Sequence, residues 1–299
     1  MRKHNICCVG HITLDKVVTP KNTVHMPGGT AFYFSHAIRH LNHIDYTLVT
    51  SLAESEMAVV EDLRSKNVDV TVIPSRHSVY FENIYGENQD NRTQRVLAKA
   101  DPFSVSAFAD IDAEYFLLGA LLADDFPIEL VKYLSEKGLI AIDSQGYLRE
   151  VREQNVYPID WENKKDVLRY VHILKVNELE MEVLTGMNDI KQASQQLYDW
   201  GVKEVLVTLG SLGSVIYDGQ IFSLIPAYKP NEVVDATGCG DTYVTGYLYK
   251  RAKGATIEEA GQFAAAMATI KIQASGPFKG TAEDVQRVID TAERIVPVI

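Results

Sequence analysis

Short apolar runs and amphipathic stretches alternate along most of the chain. Residues 6–10 form an apolar run ending in glycine, the pattern of a buried strand. Residues 11–15 continue it in alternation, which predicts that Asp15 emerges just past the strand end. Pro27-Gly28-Gly29-Thr30 then leads into an apolar-periodic stretch, a helix over 31–41. Strands over 46–52 and 68–73 bracket a helix over 54–66. Alternating runs at 78–85 and 92–97 flank a polar tract at 86–91, which predicts a β-hairpin. Together with 12–26 it can form a small sheet separate from the main one. From Glu114 the rhythm settles into strands over 115–118, 139–142 and 172–176 and helices over 127–137 and 164–169. Repeated βα units with short connections predict an α/β fold, a mainly parallel sheet covered by helices on both faces. A strand over 205–209 ends in a glycine turn, and strands over 214–218 and 221–224 precede helices over 257–273 and 282–295.

Composition narrows the partners more than the fold. The 299 residues suffice for a sizeable core, arranged as one large domain or two small ones. With 29 basic against 40 acidic residues the net charge is -11, which argues against a nucleic-acid or anionic-membrane partner. Cys7, Cys8 and Cys239 make an odd set with no Cys-x-x-Cys, neither a disulfide framework nor a zinc motif. That composition fits the reducing cytoplasm. The first residues lack the apolar core of a signal peptide, and no apolar run reaches the roughly 20 residues of a membrane span. His36, His40 and His43 fall at i, i+4 and i+7, a spacing that can hold a metal. Without a His-Glu-x-x-His pattern or a nearby carboxylate, they read as a solvated or half-buried face.

The candidate chemistry is concentrated at 233–242. Two apolar residues lead into Asp235-Ala236-Thr237-Gly238-Cys239-Gly240-Asp241, and a helical pattern over 243–253 leads out. Gly238, Cys239 and Gly240 thus lie where a loop becomes a helix N-terminus, an anion site by geometry and dipole. A carboxylate beside an anion site is a conflict unless the anion is a phosphoryl group in transfer and Asp241 takes the proton of the attacking hydroxyl. On this stretch alone, catalysis and simple helix capping by Asp241 weigh about evenly.

The wording Asp-Ala-Thr-Gly-Cys-Gly-Asp-Thr-Tyr, with Gly246 beyond, resembles the C-terminal signature of the ribokinase-like (PfkB) carbohydrate kinases. Cys239 and Tyr243 are mild departures from it. Three further motifs follow in the family's order: Gly28-Gly29, Asn177 with Glu180, and Thr208-x-Gly210-x-x-Gly213. The resemblance covers essentially the whole chain. It implies a single ribokinase-like domain over 1–299, with strands near 12–26 and 78–97 forming a lid that in the family often mediates dimers. It implies Asp241 as catalytic base and the amides of Gly238, Cys239 and Gly240 as an anion hole. Asp15, Gly28, Gly29, Tyr33, Gln145 and Arg149 are the implied contacts of a sugar or polyol. Asn177, Thr208, Gly210 and Gly213 are those of ATP, and Glu180 that of Mg²⁺ through water. A monovalent cation such as K⁺ near Asp235 and Thr237 is implied in the same way. Asp143-Ser144-Gln145-Gly146, with Arg149 displaced, faintly resembles the inositol-kinase-like members.

The expected activity is therefore ATP-dependent phosphorylation of a hydroxyl on a small neutral sugar or polyol. A nucleoside kinase of the same family and a non-catalytic sugar- or nucleotide-binding protein are the alternatives. A dinucleotide oxidoreductase would need Gly-x-Gly-x-x-Gly after the first strand, where Gly10 stands alone. A P-loop enzyme is excluded by the lack of Gly-x-x-x-x-Gly-Lys.

Overall fold

The computed structural model describes residues 3–20, 22–85 and 92–299, so the polar tract expected at 86–91 lies outside the described residues. The chain opens on β1 (His4–Gly10), then β2 (Thr13–Val18), β3 (Thr23–Gly28), α1 (Thr30–Ile38) and β4 (Tyr46–Leu52). Next come α2 (Met57–Ser65), β5 (Val70–Pro74), β6 (Val79–Tyr85), β7 (Arg92–Ala98) and β8 (Ala113–Gly119). The middle of the chain holds α3 (Ile128–Ser135), β9 (Leu139–Asp143), β10 (Arg149–Arg152), β11 (Asn155–Pro158) and α4 (Lys164–Leu168). It continues through β12 (Val171–Asn177), α5 (Glu178–Thr185), α6 (Ile190–Asp199), β13 (Glu204–Thr208), β14 (Ser214–Tyr217) and β15 (Phe222–Ile225). The last third is β16 (Ala227–Tyr228), α7 (Cys239–Ala252), α8 (Ile257–Ile272), α9 (Ala282–Thr291) and β17 (Arg294–Ile295).

Nine strands form the main sheet in the order β15-β14-β13-β12-β9-β8-β1-β4-β5. Every pair from β13 to β5 is parallel, and β14 and β15 add an antiparallel edge. Strand residues alternate between two cores, as the period of two requires when both faces are covered. Ile6 and Cys8 point into one core with Leu117, while Cys7 and Val9 point into the other with Phe116 and Leu118. Helices α1, α2, α7, α8 and α9 fill the first, and α3 to α6 fill the second. Among the described residues no helix is long and apolar enough to cross a membrane.

The small separate sheet expected from 12–26 and 78–97 is present, in the order β10-β11-β7-β6-β2-β3. Strands β10 and β11 escaped the sequence reading because their turn carries no Gly, Asn or Pro. Glu153 and Gln154 instead take left-handed backbone, at φ 47° and 71°. Three helix ends also differ. Helix α1 stops at Ile38, so His40 and His43 do not share its face with His36, whose ring bonds the Phe32 carbonyl at 2.9 Å. Helix α9 stops at Thr291, and Arg294–Ile295 pairs with β16 instead of continuing it. Helix α7 begins at Cys239, four residues earlier than its apolar pattern indicated.

Candidate active site

Parallel strands place their carboxyl ends on one side of the sheet, and in open α/β sheets ligands gather there. Between those ends and the small sheet lies a cleft of about 1110 Å³. Asp143 closes β9, Asn177 closes β12 and Thr208 closes β13, and all three line the cleft. Thr13, Asp15 and Val17 on β2 face it from the small sheet, with Asn83 on β6 and Gln94 on β7. Asp15 therefore sits within a strand of the second sheet, not in a loop past the first strand. Gly28 packs on it, for a methyl group there would come within 2.5 Å of the Asp15 carboxylate.

The first turn of α7 forms the cleft floor. Gly238 caps the helix in left-handed backbone at φ 76°, and an added Cβ would strike the Tyr33 ring at 2.3 Å. Only glycine meets both conditions without strain. Because Gly238 is the cap, Asp241 is not, and the simple capping reading of Asp241 gives way. Its carboxylate instead meets Thr30 at the start of α1. Burial and the neighbouring Asp143 push its pKa up to about 6, against the opposing pull of Thr30, Lys175 and Arg149. A carboxylate tuned that close to neutrality suits general-base work. Of the three amides expected to form an anion hole, that of Cys239 donates to the Ala236 carbonyl at 3.1 Å. Gly238, Cys239 and Gly240 all border the cleft, and burial raises the Cys239 thiol to about 11.

A buried cation completes the floor. Lys175 on β12 is 5% exposed, and its Nζ lies 3.0 Å from Asp143 Oδ2 and 4.0 Å from Glu180 Oε2. A methyl group on Gly240 would sit 3.2 Å from the same nitrogen. Burial opposes the charge, yet Asp143 and Glu180 outweigh it and hold the ammonium above its ordinary range. Sequence reasoning missed Lys175, although a lysine inside the apolar run Ile173-Leu174-Lys175-Val176 was itself a signal. It also passed over Thr30, Asn83 and Gln94.

Asn177 and Glu180 form a reciprocal capping box on α5. Asn177 N–H donates to Glu180 Oε2 at 2.9 Å, its side-chain amide donates to Oε1 at 2.9 Å, and Ser144 Oγ donates to Oε2 at 3.1 Å. Burial raises the Glu180 pKa, with Lys175 opposing. Asn177, Glu178 and Leu179 border the cleft while the Glu180 oxygens are occupied behind it. Among the described residues no group of three or more His, Cys, Asp or Glu side chains forms a metal cage. Asn177 and Glu178 are the oxygen-bearing side chains that border the cleft there, hard donors of the kind a hydrated Mg²⁺ meets through water. Gly210 and Gly213 turn the chain after β13, and Gln145 and Arg149 line the cleft with Asp143. Ala265, Ala268 and Ile272 of α8, with Val233 of the loop before α7, give the cleft a mostly apolar stretch of wall that Thr269 interrupts.

The family model described as pfkB family carbohydrate kinase matches residues 3–283. A cytidine kinase from Thermococcus kodakarensis is 25% identical over 85% of this chain and 91% of its own. A ribokinase from Arabidopsis thaliana is 33% identical over 68% of this chain and 53% of its own. Among solved structures, a pyrophosphate-dependent kinase in the ribokinase family, complexed with a pyrophosphate analog and myo-inositol, superposes with a TM-score of 0.81. It is 27% identical, and the likeness covers 94% of this chain and 99% of that one.

Proposed function

The chain belongs to the pfkB family of carbohydrate kinases, and on that premise we propose that it transfers the terminal phosphoryl group of ATP to a hydroxyl of a neutral sugar or polyol. The acceptor lies against the small sheet, among Asp15, Asn83, Gln94, Gln145 and Arg149. Asp241 takes the hydroxyl proton as the oxygen bonds to phosphorus, and the bond to the bridging oxygen breaks to leave ADP. The start of α7 and the Lys175 ammonium meet the charge on the transferring group. Magnesium, held through water near Glu180 and Asn177, would neutralise the donor phosphates. The small sheet serves as a lid whose closure keeps water from the donor.

One observation carries this reading: Asp241, buried and held by Thr30, stands in the first turn of α7, whose glycine cap borders the same cleft as the buried Lys175 of β12. The acceptor's neutrality follows from the lining. Asp15, Asp143, Glu178, Asp235 and Asp241 border the cleft against Arg149 and Lys175, and Arg149 is the one basic side chain among the acceptor-side residues named above, so a second phosphate on the sugar finds no cation cluster to meet it. For the donor, the apolar wall of Val233, Ala265, Ala268 and Ile272 favours a nucleotide, whose base can cover it. Pyrophosphate is the second reading, favoured by the structural likeness to a pyrophosphate-dependent kinase.

The test is release of ADP from ATP and Mg²⁺ across a panel of sugars, nucleosides and inositols, with pyrophosphate as a parallel donor and Asp241→Asn as control. Turnover with ATP that vanishes in the variant supports the proposal. Turnover with pyrophosphate alone moves the donor to the second reading, and full activity in Asp241→Asn overturns the role of the base.

A further inference from the structure

Helix α8 ends beside the loop that delivers Gly238 to the cleft, and its last turn hides a cation. The Lys271 side chain is wholly buried. Its Nζ donates to the Asp235 carbonyl at 2.8 Å, to Asp235 Oδ2 at 3.1 Å and to the Ala274 carbonyl at 3.5 Å. Asp235 gathers the rest of the loop: Thr237 N–H donates to Oδ1 at 2.9 Å and Gly276 N–H to Oδ2 at 3.4 Å. Val234 and Asp235 N–H groups close on the Ile272 carbonyl at 2.8 and 3.1 Å. One ammonium thus ties residues 234–237, immediately ahead of the helix cap, to the end of α8.

The oxygens around this nitrogen are two carbonyls and a carboxylate at the negative end of a helix, a setting that calls for one positive charge. The family resemblance places a monovalent cation near Asp235 and Thr237. The residues present do not fit an added ion there, because an ammonium already holds the Asp235 oxygens. We propose that Lys271 is a built-in replacement for that ion, a positioning residue that keeps the loop before Gly238 in shape and frees the enzyme from any need for potassium. A free cation must be drawn from solution at each loading, whereas a tethered one is present whenever the chain is folded. The lone lysine in the apolar helix stretch Met267-Ala268-Thr269-Ile270-Lys271-Ile272 is its mark in the sequence.

The inference rests on the phosphoryl-transfer reading, and two arms keep them separable. In the first, the wild-type protein is assayed in potassium, sodium and tetramethylammonium salts at equal ionic strength. Equal rates are expected; a wild type that turns over only in potassium overturns the proposal while leaving the kinase reading intact, and absence of turnover in every salt overturns the kinase reading. In the second, Lys271→Met keeps the packing of the stem and removes the charge, and Lys271→Ala opens more room. Loss of kcat on the order of 10²-fold in tetramethylammonium, restored by potassium, is expected for a displaced loop. The same variants should melt at higher temperature with potassium than with tetramethylammonium, as for any ligand that binds the folded state alone. A residue with a merely structural role would lose stability without potassium-specific recovery of either quantity, and that result overturns the proposal.

Discussion

At Asp241 the burial that makes a carboxylate basic also makes it a liability to the fold. Its folded pKa of about 6 lies above the ordinary 3.8, so the folded state holds the proton more tightly than the unfolded chain. Stability from this group is full at low pH and declines as pH rises through about 6. Three outcomes follow. The pH profile of kcat/KM should fall on the acid side near pH 6, where the Asp241 carboxylate of the free protein becomes protonated, as steady-state assays across buffers will show. Asp241→Asn should lower kcat by on the order of 10² to 10⁴. The same change should raise the melting temperature at neutral pH by a few degrees, since it removes a charge that folding disfavours. Lys175→Met should lower kcat with little change in acceptor KM, because it withdraws charge from the cleft floor beside Gly240. It should also lower stability by roughly 3–5 kcal/mol, since Asp143 and Glu180 lose their partner. The placement of Asp241 and its glycines was legible because its signals are local: a turn, a helix start and one carboxylate. Lys175 was not, because its role depends on Gly240 and Asp143 arriving from other strands and helices.

Among the elements, α7 is anchored at both ends. Near its far end Arg251 reaches Glu204 on β13, which is 4% exposed and also accepts from Tyr247 Oη at 2.6 Å. Arg251→Leu should therefore cost roughly 3–5 kcal/mol in urea unfolding by stranding a buried carboxylate. Those residues are not part of the cleft lining, so KM for the acceptor should hold. Strand and helix identities followed the apolar periods closely wherever packing and period agree, as in β1, β12 and α8. They failed where the deciding signal was absent from the pattern. The start of α7 at Cys239 is set by a left-handed glycine and by contacts with Tyr33, not by apolar spacing. The β10–β11 turn takes its shape from the strands around it, which pull Glu153 and Gln154 into backbone that they rarely choose alone.

For the whole molecule, the acidic surplus of the cleft matches the overall charge of -11 and makes a general prediction about substrates. A phosphorylated sugar should be turned over more slowly than its neutral parent, with the deficit narrowing as salt is added, in initial-rate measurements at several ionic strengths. The large, mostly parallel sheet was readable from strand rhythm, whereas the small separate sheet was favoured over an ordinary edge hairpin only through the family resemblance. The cleft between them was not readable, since it takes residues from both ends of the chain.

The join between those two sheets has its own consequence. Only His11 and Ile12 separate β1 from β2, and Gly29 returns the chain from β3 directly into α1. Gly29, at φ 85°, lies so close to His11 that a methyl group there would come within 2.4 Å of the His11 carbonyl. The outgoing and returning threads are thus clasped side by side, like the two leaves of a single knuckle. If the small sheet swings, Asp15 and Gly28 must travel together about this clasp. Swapping Gly29 for alanine would strain this clasp, and with it the neighbouring Thr30 that meets Asp241.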